Sequence, residues 1–186
     1  MKYISIGVVT VEGTEYILDV CRGGTSFRLT GDLATLWLNG RRGFASADKP
    51  TELRALDQLV KMGLALKADG SPADEYRTLT QCTLVPADRK FPYWGLTSLE
   101  KTVLRWLREA GLVLSMAELT FLMDRGIELR DGLLGSDNAQ ALVEAIYTKE
   151  TICDNILENQ MEYAESCRRT VKVVLSLLKK KKIVLL

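Results

Sequence analysis

Residues 166–186 read SCRRTVKVVLSLLKKKKIVLL, and the order of residue types in that stretch decides the reading of the fold. An amphipathic basic helix leads into four lysines, and a short apolar run fit for a strand follows. The segment carries seven Lys/Arg and no acid, whereas residues 148–165 carry five acids and one base. A formal net charge of +1 therefore hides a dipolar end, and a near-neutral total does not argue against nucleic acid when one face concentrates positive charge. The plain alternative is a helix whose last lysines only complement its macrodipole.

An echo of the pattern lies upstream. Thr51–Leu66, TELRALDQLVKMGLAL, aligns with Thr170–Leu185 at an offset of 119, matching Leu56 with Leu175, Leu59 with Leu178, Leu64 with Ile183, Leu66 with Leu185 and Lys61 with Lys180. Leu29-Thr30 and Leu96-Thr97 open corresponding helices. Such agreement in pattern is what a diverged duplication leaves. It divides the chain into residues 1–70 and 71–186, with Lys67–Pro72 as the boundary turn.

Within the first half, residues 3–11 and 15–21 read as a β-hairpin about Glu12-Gly13-Thr14. Gly23-Gly24 turns into a third strand, Ser26–Leu29. Thr30 is placed to cap a helix through Asn39, with Leu33, Leu36 and Trp37 on its inner face. Pro50 opens a second helix, Thr51–Met62. Gly63 stops it, and Leu64–Leu66 return to the sheet.

The second half is expected to begin with a strand at Arg77–Val85, partnered by Phe91–Trp94. Capping boxes at Thr97–Glu100 and Ser115–Glu118 start helices to Ala110 and Asp124, a spacing compatible with helix-turn-helix geometry. Asp137 starts a helix to Tyr147. A long helix over 149–165 follows, in which Glu150, Asp154, Glu158 and Glu162 form an acidic stripe. Neutralisation of that stripe by the basic helix is one expectation, and a solvated face is the other.

Composition narrows the chemistry. The chain has no histidine, the commonest general base. It carries neither a G-x-x-x-x-G-K-[ST] nor a G-x-G-x-x-G loop. Cys21, Cys82, Cys153 and Cys167 are far apart and form no C-x-x-C pair, so no metal centre, disulfide framework or cofactor is expected. No apolar run reaches the length of a membrane span, and the first residues lack a signal-peptide profile. The expectation is a cytoplasmic, non-enzymatic protein.

Two family resemblances rest on these residues. LDQLVKMGLAL and VLSLLKKKKIVLL both resemble the third helix and wing strand of winged-helix domains. The resemblance implies an α+β fold of two small winged-helix-like domains, the second mostly helical with an extra long helix. It also implies a helix presented to the major groove, which puts Arg168, Arg169 and Lys172 forward. One departure is that no C-terminal hairpin wing is expected after Leu186. The first 70 residues also resemble the small peptide-binding domain typified by PqqD, through Leu29, Thr30, Ala34, Trp37 and Leu38 of FRLTGDLATLWLNGRR. That resemblance implies capture of a leader peptide as an added strand.

The functional expectation is a DNA-binding transcriptional regulator that contacts the polyanion through Arg168, Arg169, Lys172, Lys179, Lys180, Lys181 and Lys182, with Arg41 and Arg42 exposed in the first half. The alternative is a protein- or peptide-binding adaptor. Homodimerisation through the 149–165 helix is expected, and no membrane partner.

Overall fold

Tyr3, Ile4, Ser5 and Ile6 are all buried, so strand β1 (Lys2–Ser5) is covered on both of its faces. The computed structural model describes residues 1–12, 17–87, 93–129, 135–153 and 164–186, and the fold is mixed α and β. After β1 come β2 (Val8–Glu12), β3 (Ile17–Arg22) and β4 (Thr25–Thr30), which form an antiparallel meander. Helix α1 (Gly31–Gly40), strand β5 (Ala45–Ser46), helix α2 (Pro50–Lys61) and strand β6 (Ala65–Ala68) complete the first part. Helix α3 (Pro72–Leu79) leads to β7 (Leu84–Pro86), α4 (Ser98–Arg108) and α5 (Met116–Arg125). Then follow α6 (Gly135–Ile146), α7 (Lys149–Cys153), α8 (Ala164–Lys179) and β8 (Ile183–Leu185).

The apolar stretch at residues 3–11, read as one strand, is two. Gly7 has φ +112°, and a Cβ there would lie 2.8 Å from Val20 Cγ1 and 3.1 Å from the Cys21 carbonyl oxygen. The chain bends at that glycine. β1 pairs between β5 and β6, while β2 joins the separate meander. The hairpin turn expected at Glu12-Gly13-Thr14 lies largely outside the described residues.

A second correction concerns Arg77–Val85. Residues 72–79 are helical, and only Leu84–Pro86 are a strand. The Ser71 hydroxyl accepts a hydrogen bond from the Asp74 amide at 3.1 Å, Pro72 stands at the first helical position, and Asp74 and Glu75 fill the first turn. These local signals outweigh the β-branched run that follows. Of the partner expected at Phe91–Trp94, the described residues 93 and 94 form no strand, and β7 has another partner. It is β8, with Leu84 opposite Leu185 and Pro86 opposite Ile183. Residues 93–95 form a turn, and 91–92 lie outside the described residues.

The two small sheets share one hydrogen-bonding pattern. Tyr3 pairs with Ala45 on one side and Lys67 on the other; Leu84 pairs with Leu114 and Leu185. The Ile6 amide donates to the Leu64 carbonyl at 2.9 Å, and the Ala87 amide to the Lys182 carbonyl at 2.8 Å. The ends of α2 and α8 close alike. The Leu64 amide reaches back to the Leu59 carbonyl and the Lys182 amide to the Leu177 carbonyl, after a left-handed residue that is Gly63 (φ +72°) in one case and Lys181 (φ +57°) in the other. These bonds equate Leu64 with Lys182, not with Ile183. The two segments therefore superpose 118 residues apart, one fewer than the residue-type alignment gives. At that register the burial agrees too: Leu56 with Val174 and Leu59 with Leu177 are all fully buried.

Alternation along β1 joins the two parts. Tyr3 belongs to a core with Leu18, Val20, Trp37, Leu56 and Leu59, while Ile4 and Ile6 belong to the larger core of Leu79, Leu84, Trp106, Val174 and Leu177. Around the seam, Lys2 pairs with Glu75, and the Thr78 hydroxyl donates to the Lys67 carbonyl. The Gly7 amide donates to the Leu185 carbonyl at 2.8 Å. Burial of Ile4 and Ile6 alone accounts for several kcal/mol of hydrophobic stabilisation, about 2 kcal/mol for each side chain.

Candidate nucleic-acid interface

Helix α8 has one buried face and one charged face, as its sequence period requires. Cys167, Thr170, Val171, Val173, Val174, Leu177 and Leu178 point inward. Glu165, Arg168, Arg169, Lys172 and Lys179 are exposed. The helix is held in rotation by a buried polar relay: Tyr76 Oη is 3.2 Å from Thr120 Oγ1, which donates to Thr170 Oγ1 at 3.0 Å, and Thr170 donates in turn to the Ser166 carbonyl. Burial pushes the Tyr76 phenol up to about 12, so it stays neutral within this relay. Hydroxyl groups with partners on three helices fix which side of α8 meets solvent.

The nine expected basic residues divide by environment. Arg168, Arg169 and Lys172 lie together on the outer face of α8, around a shallow recess whose rim includes Glu165. Lys179 and Lys181 are exposed at the far end. From Arg168 to Lys179 the cationic stripe runs about 16 Å along the helix axis. Among the described residues none of these five makes a salt bridge.

Lys180 and Lys182 depart from the expectation. Lys180 Nζ contacts both carboxylate oxygens of Glu100, at 2.7 and 2.9 Å, and Glu100 is buried. Desolvation pushes the Glu100 carboxyl up, but hydrogen bonds from Lys180, Ser176 and Thr97 overcome it and hold the group down at about 2. Lys180 thus ties the end of α8 to the start of α4. Lys182 takes the place that Leu64 occupies in the first sheet and is only 9% exposed. Lys180 is therefore exposed but engaged by Glu100, whereas Lys182 is enclosed in the fold.

In the first part, Arg41 lies over the Trp37 ring at 5.5 Å and is half-buried, while Arg42 is exposed. Their loop is not remote from α8: a Cβ on Gly43 would stand 3.7 Å from Leu175 Cδ2. The sequence reading missed Arg77. This exposed arginine of α3 shares with Arg168 a cavity lined also by Ser71, Tyr76 and Cys167, and it pairs with Asp74 at 3.5 Å. The signal was present in Ser71-Pro72, the cap of the helix that carries it.

The acidic stripe from Asp154 to Glu162, including the Glu158 expected to neutralise the arginines, lies outside the described residues. Two of the thiols are poorly suited to nucleophilic work: burial pushes Cys82 up to about 11 and also raises Cys167. Among the described residues no group of three or more metal-ligating side chains occurs, and no helix is long and apolar enough to cross a membrane. The chain matches no protein-family model, and no curated protein or solved structure is significantly similar to it.

Proposed function

We propose that this protein binds double-stranded DNA without catalysing a reaction, presenting the outer face of α8 to the polyanion in the manner of a winged-helix regulator. The observation that carries the reading is the stripe of Arg168, Arg169, Lys172 and Lys179, displayed on a helix whose opposite face is locked into the core. In this reading each part of the chain is a winged-helix-like unit left by duplication, with the strand before the first helix taking the place of the returning wing strand. Arg77 and Arg42 flank the stripe and add phosphate contacts. Arginines near the start of α8 reach base edges, and lysines at its end hold the backbone.

Anisotropy of labelled duplex DNA, followed across salt concentrations, tests this. Each phosphate contact contributes about 0.9 to the slope of log K against log salt, so replacing Arg168, Arg169 and Lys172 with alanine should lower the slope by about 3. Undetectable binding at low salt, or an unchanged slope in the triple variant, would sink the reading.

A second reading is supported by β4, which pairs with β3 on one side only and carries Leu29 and Thr30 of the PqqD-like pattern. A peptide adding as a strand would use that edge. Peptide-induced shifts confined to amides of residues 25–30 would favour it over DNA.

A further inference from the structure

Trp94 is the one tryptophan the core does not use. Trp37 and Trp106 are fully buried, whereas Trp94 is 83% exposed, more than any other large apolar side chain among the described residues. Its neighbours hold it there. Tyr93 packs against the larger core, and its hydroxyl donates to Glu109 Oε1 at 2.8 Å. Leu96 is buried, and Gly95, with φ +73°, turns the chain just before it. Both flanks are anchored, so the indole is presented to solvent from a fixed turn.

That turn stands at the lysine end of α8. The Thr97 amide, three residues on, donates to Glu100 Oε2 at 2.7 Å, and Lys180 Nζ contacts the same oxygen at 2.7 Å. Three residues of chain span at most about 10 Å, which places Trp94 beside Lys180. The carboxylates on this side are already paired, Glu100 with Lys180 and Glu109 with Arg105. Lys101, Lys179 and Lys181 are exposed and make no salt bridge among the described residues. The surplus charge around the indole is therefore positive.

We infer that Trp94 stacks on an unpaired base, and that the DNA this protein takes is a junction where duplex adjoins a single strand. The inference rests on the proposed binding of duplex DNA by α8 and narrows its substrate. Two features select this occupant. The lysines call for a polyanion, and nucleic acid is the polyanion that carries flat aromatic rings between its charges. An indole held beside cations offers those rings a stacking platform, as single-strand binding sites do. A base inside a duplex is already stacked on both faces, so it is the unpaired base next to the duplex that gains from Trp94.

Anisotropy of the full chain with two labelled DNAs is the test: a blunt duplex, and the same duplex carrying tails of about four thymidines. The tailed duplex should bind more tightly. Trp94→Ala should weaken binding of the tailed duplex about ten-fold and leave the blunt duplex and both salt slopes unchanged, because stacking releases no counterions. Intrinsic fluorescence gives a second readout, since Trp94 is the exposed indole of the three. The tailed duplex should quench it, the blunt duplex should not, and the Trp94→Ala chain should show no quenching. Equal affinity for the two DNAs, or a Trp94→Ala variant that binds the tailed duplex as the wild type does, overturns the inference while blunt-duplex binding upholds the α8 reading. Absence of binding to either DNA at low salt overturns both.

Discussion

Trp37 and Trp106 occupy the same place in the two halves of the chain, each fully buried on the helix before the short edge of its sheet, yet only one indole is satisfied. Trp37 Nε1 donates to the Ile6 carbonyl at 3.0 Å, whereas Trp106 Nε1 has no acceptor among the described residues. The 69 residues between them also separate Ala45 from Leu114, their strand neighbours. A buried donor left without a partner forfeits its hydration for nothing. Trp106→Phe therefore removes a liability along with ring volume, and Trp37→Phe removes a bond and strands the Ile6 carbonyl. Chemical denaturation should show Trp37→Phe as the more destabilising by about 1 kcal/mol; equal losses would contradict the assignment.

Gly63 and Lys181 form a second matched pair, both left-handed, one of them with a side chain. A non-glycine residue in that region carries a penalty of about 1 kcal/mol. Lys181→Gly should raise the unfolding free energy by roughly that amount, and Gly63→Ala should lower it by at least as much. At Gly63 the added Cβ would also approach the Arg22 guanidinium, which donates to the Gly63 carbonyl.

Glu100 and Lys180 predict an acid sensitivity with a definite sign. The carboxyl is held at about 2 in the folded chain against an ordinary 4.5, so its contribution is present above about pH 4.5 and lost as pH falls toward 2. The linkage is on the order of 3 kcal/mol. In Lys180→Met and Glu100→Gln the midpoint of acid unfolding should lose this dependence. Lys180→Met should also weaken the fold at pH 7, by about 3 kcal/mol, since it leaves a buried carboxylate without its cation. The Arg168, Arg169 and Lys172 triple variant should do the converse, sparing stability and changing only salt-dependent DNA binding. Parallel melts and anisotropy titrations separate the two groups.

Gly40 tests packing of α1 on β1. A Cβ there would stand 3.0 Å from the Ser5 amide nitrogen and 2.7 Å from Tyr3 Cε2, and would collide with the Ser5 hydroxyl as well. Backbone cannot yield as a side chain does. Gly40→Ala should cost about 2 kcal/mol despite its better helix propensity, read from urea unfolding. A neutral or stabilising result would mean that the contact is looser than drawn.

The elements legible in the sequence are those whose signals act within one turn. The capping boxes at Thr97–Glu100 and Ser115–Glu118 form as spaced, with Thr97 and Ser115 amides bonded to the carboxylates three residues on. The stop at Gly63 forms where expected. The inward face of α1 at Trp37 and the stripe of Arg168, Arg169 and Lys172 follow from periodicity alone. Arg77–Val85 was misjudged because a cap two residues before Ala73 outweighs the strand propensity beyond it.

Partners across distance were not legible. That β7 pairs with β8, about a hundred residues away, depends on where α8 packs, and hydrophobic alternation along β7 does not encode it. Residue types favoured an offset of 119 because leucine matches leucine; the backbone closes at 118 because a helix end is set by its left-handed residue, and Lys181 occupies that position at some conformational cost. Four consecutive lysines look alike as text. Only the packed chain separates Lys180, exposed but paired with the buried carboxylate of Glu100, and Lys182, enclosed where the other half has Leu64, from Lys179 and Lys181, which make no salt bridge among the described residues, since burial and charge pairing are properties of neighbours that sequence order does not supply.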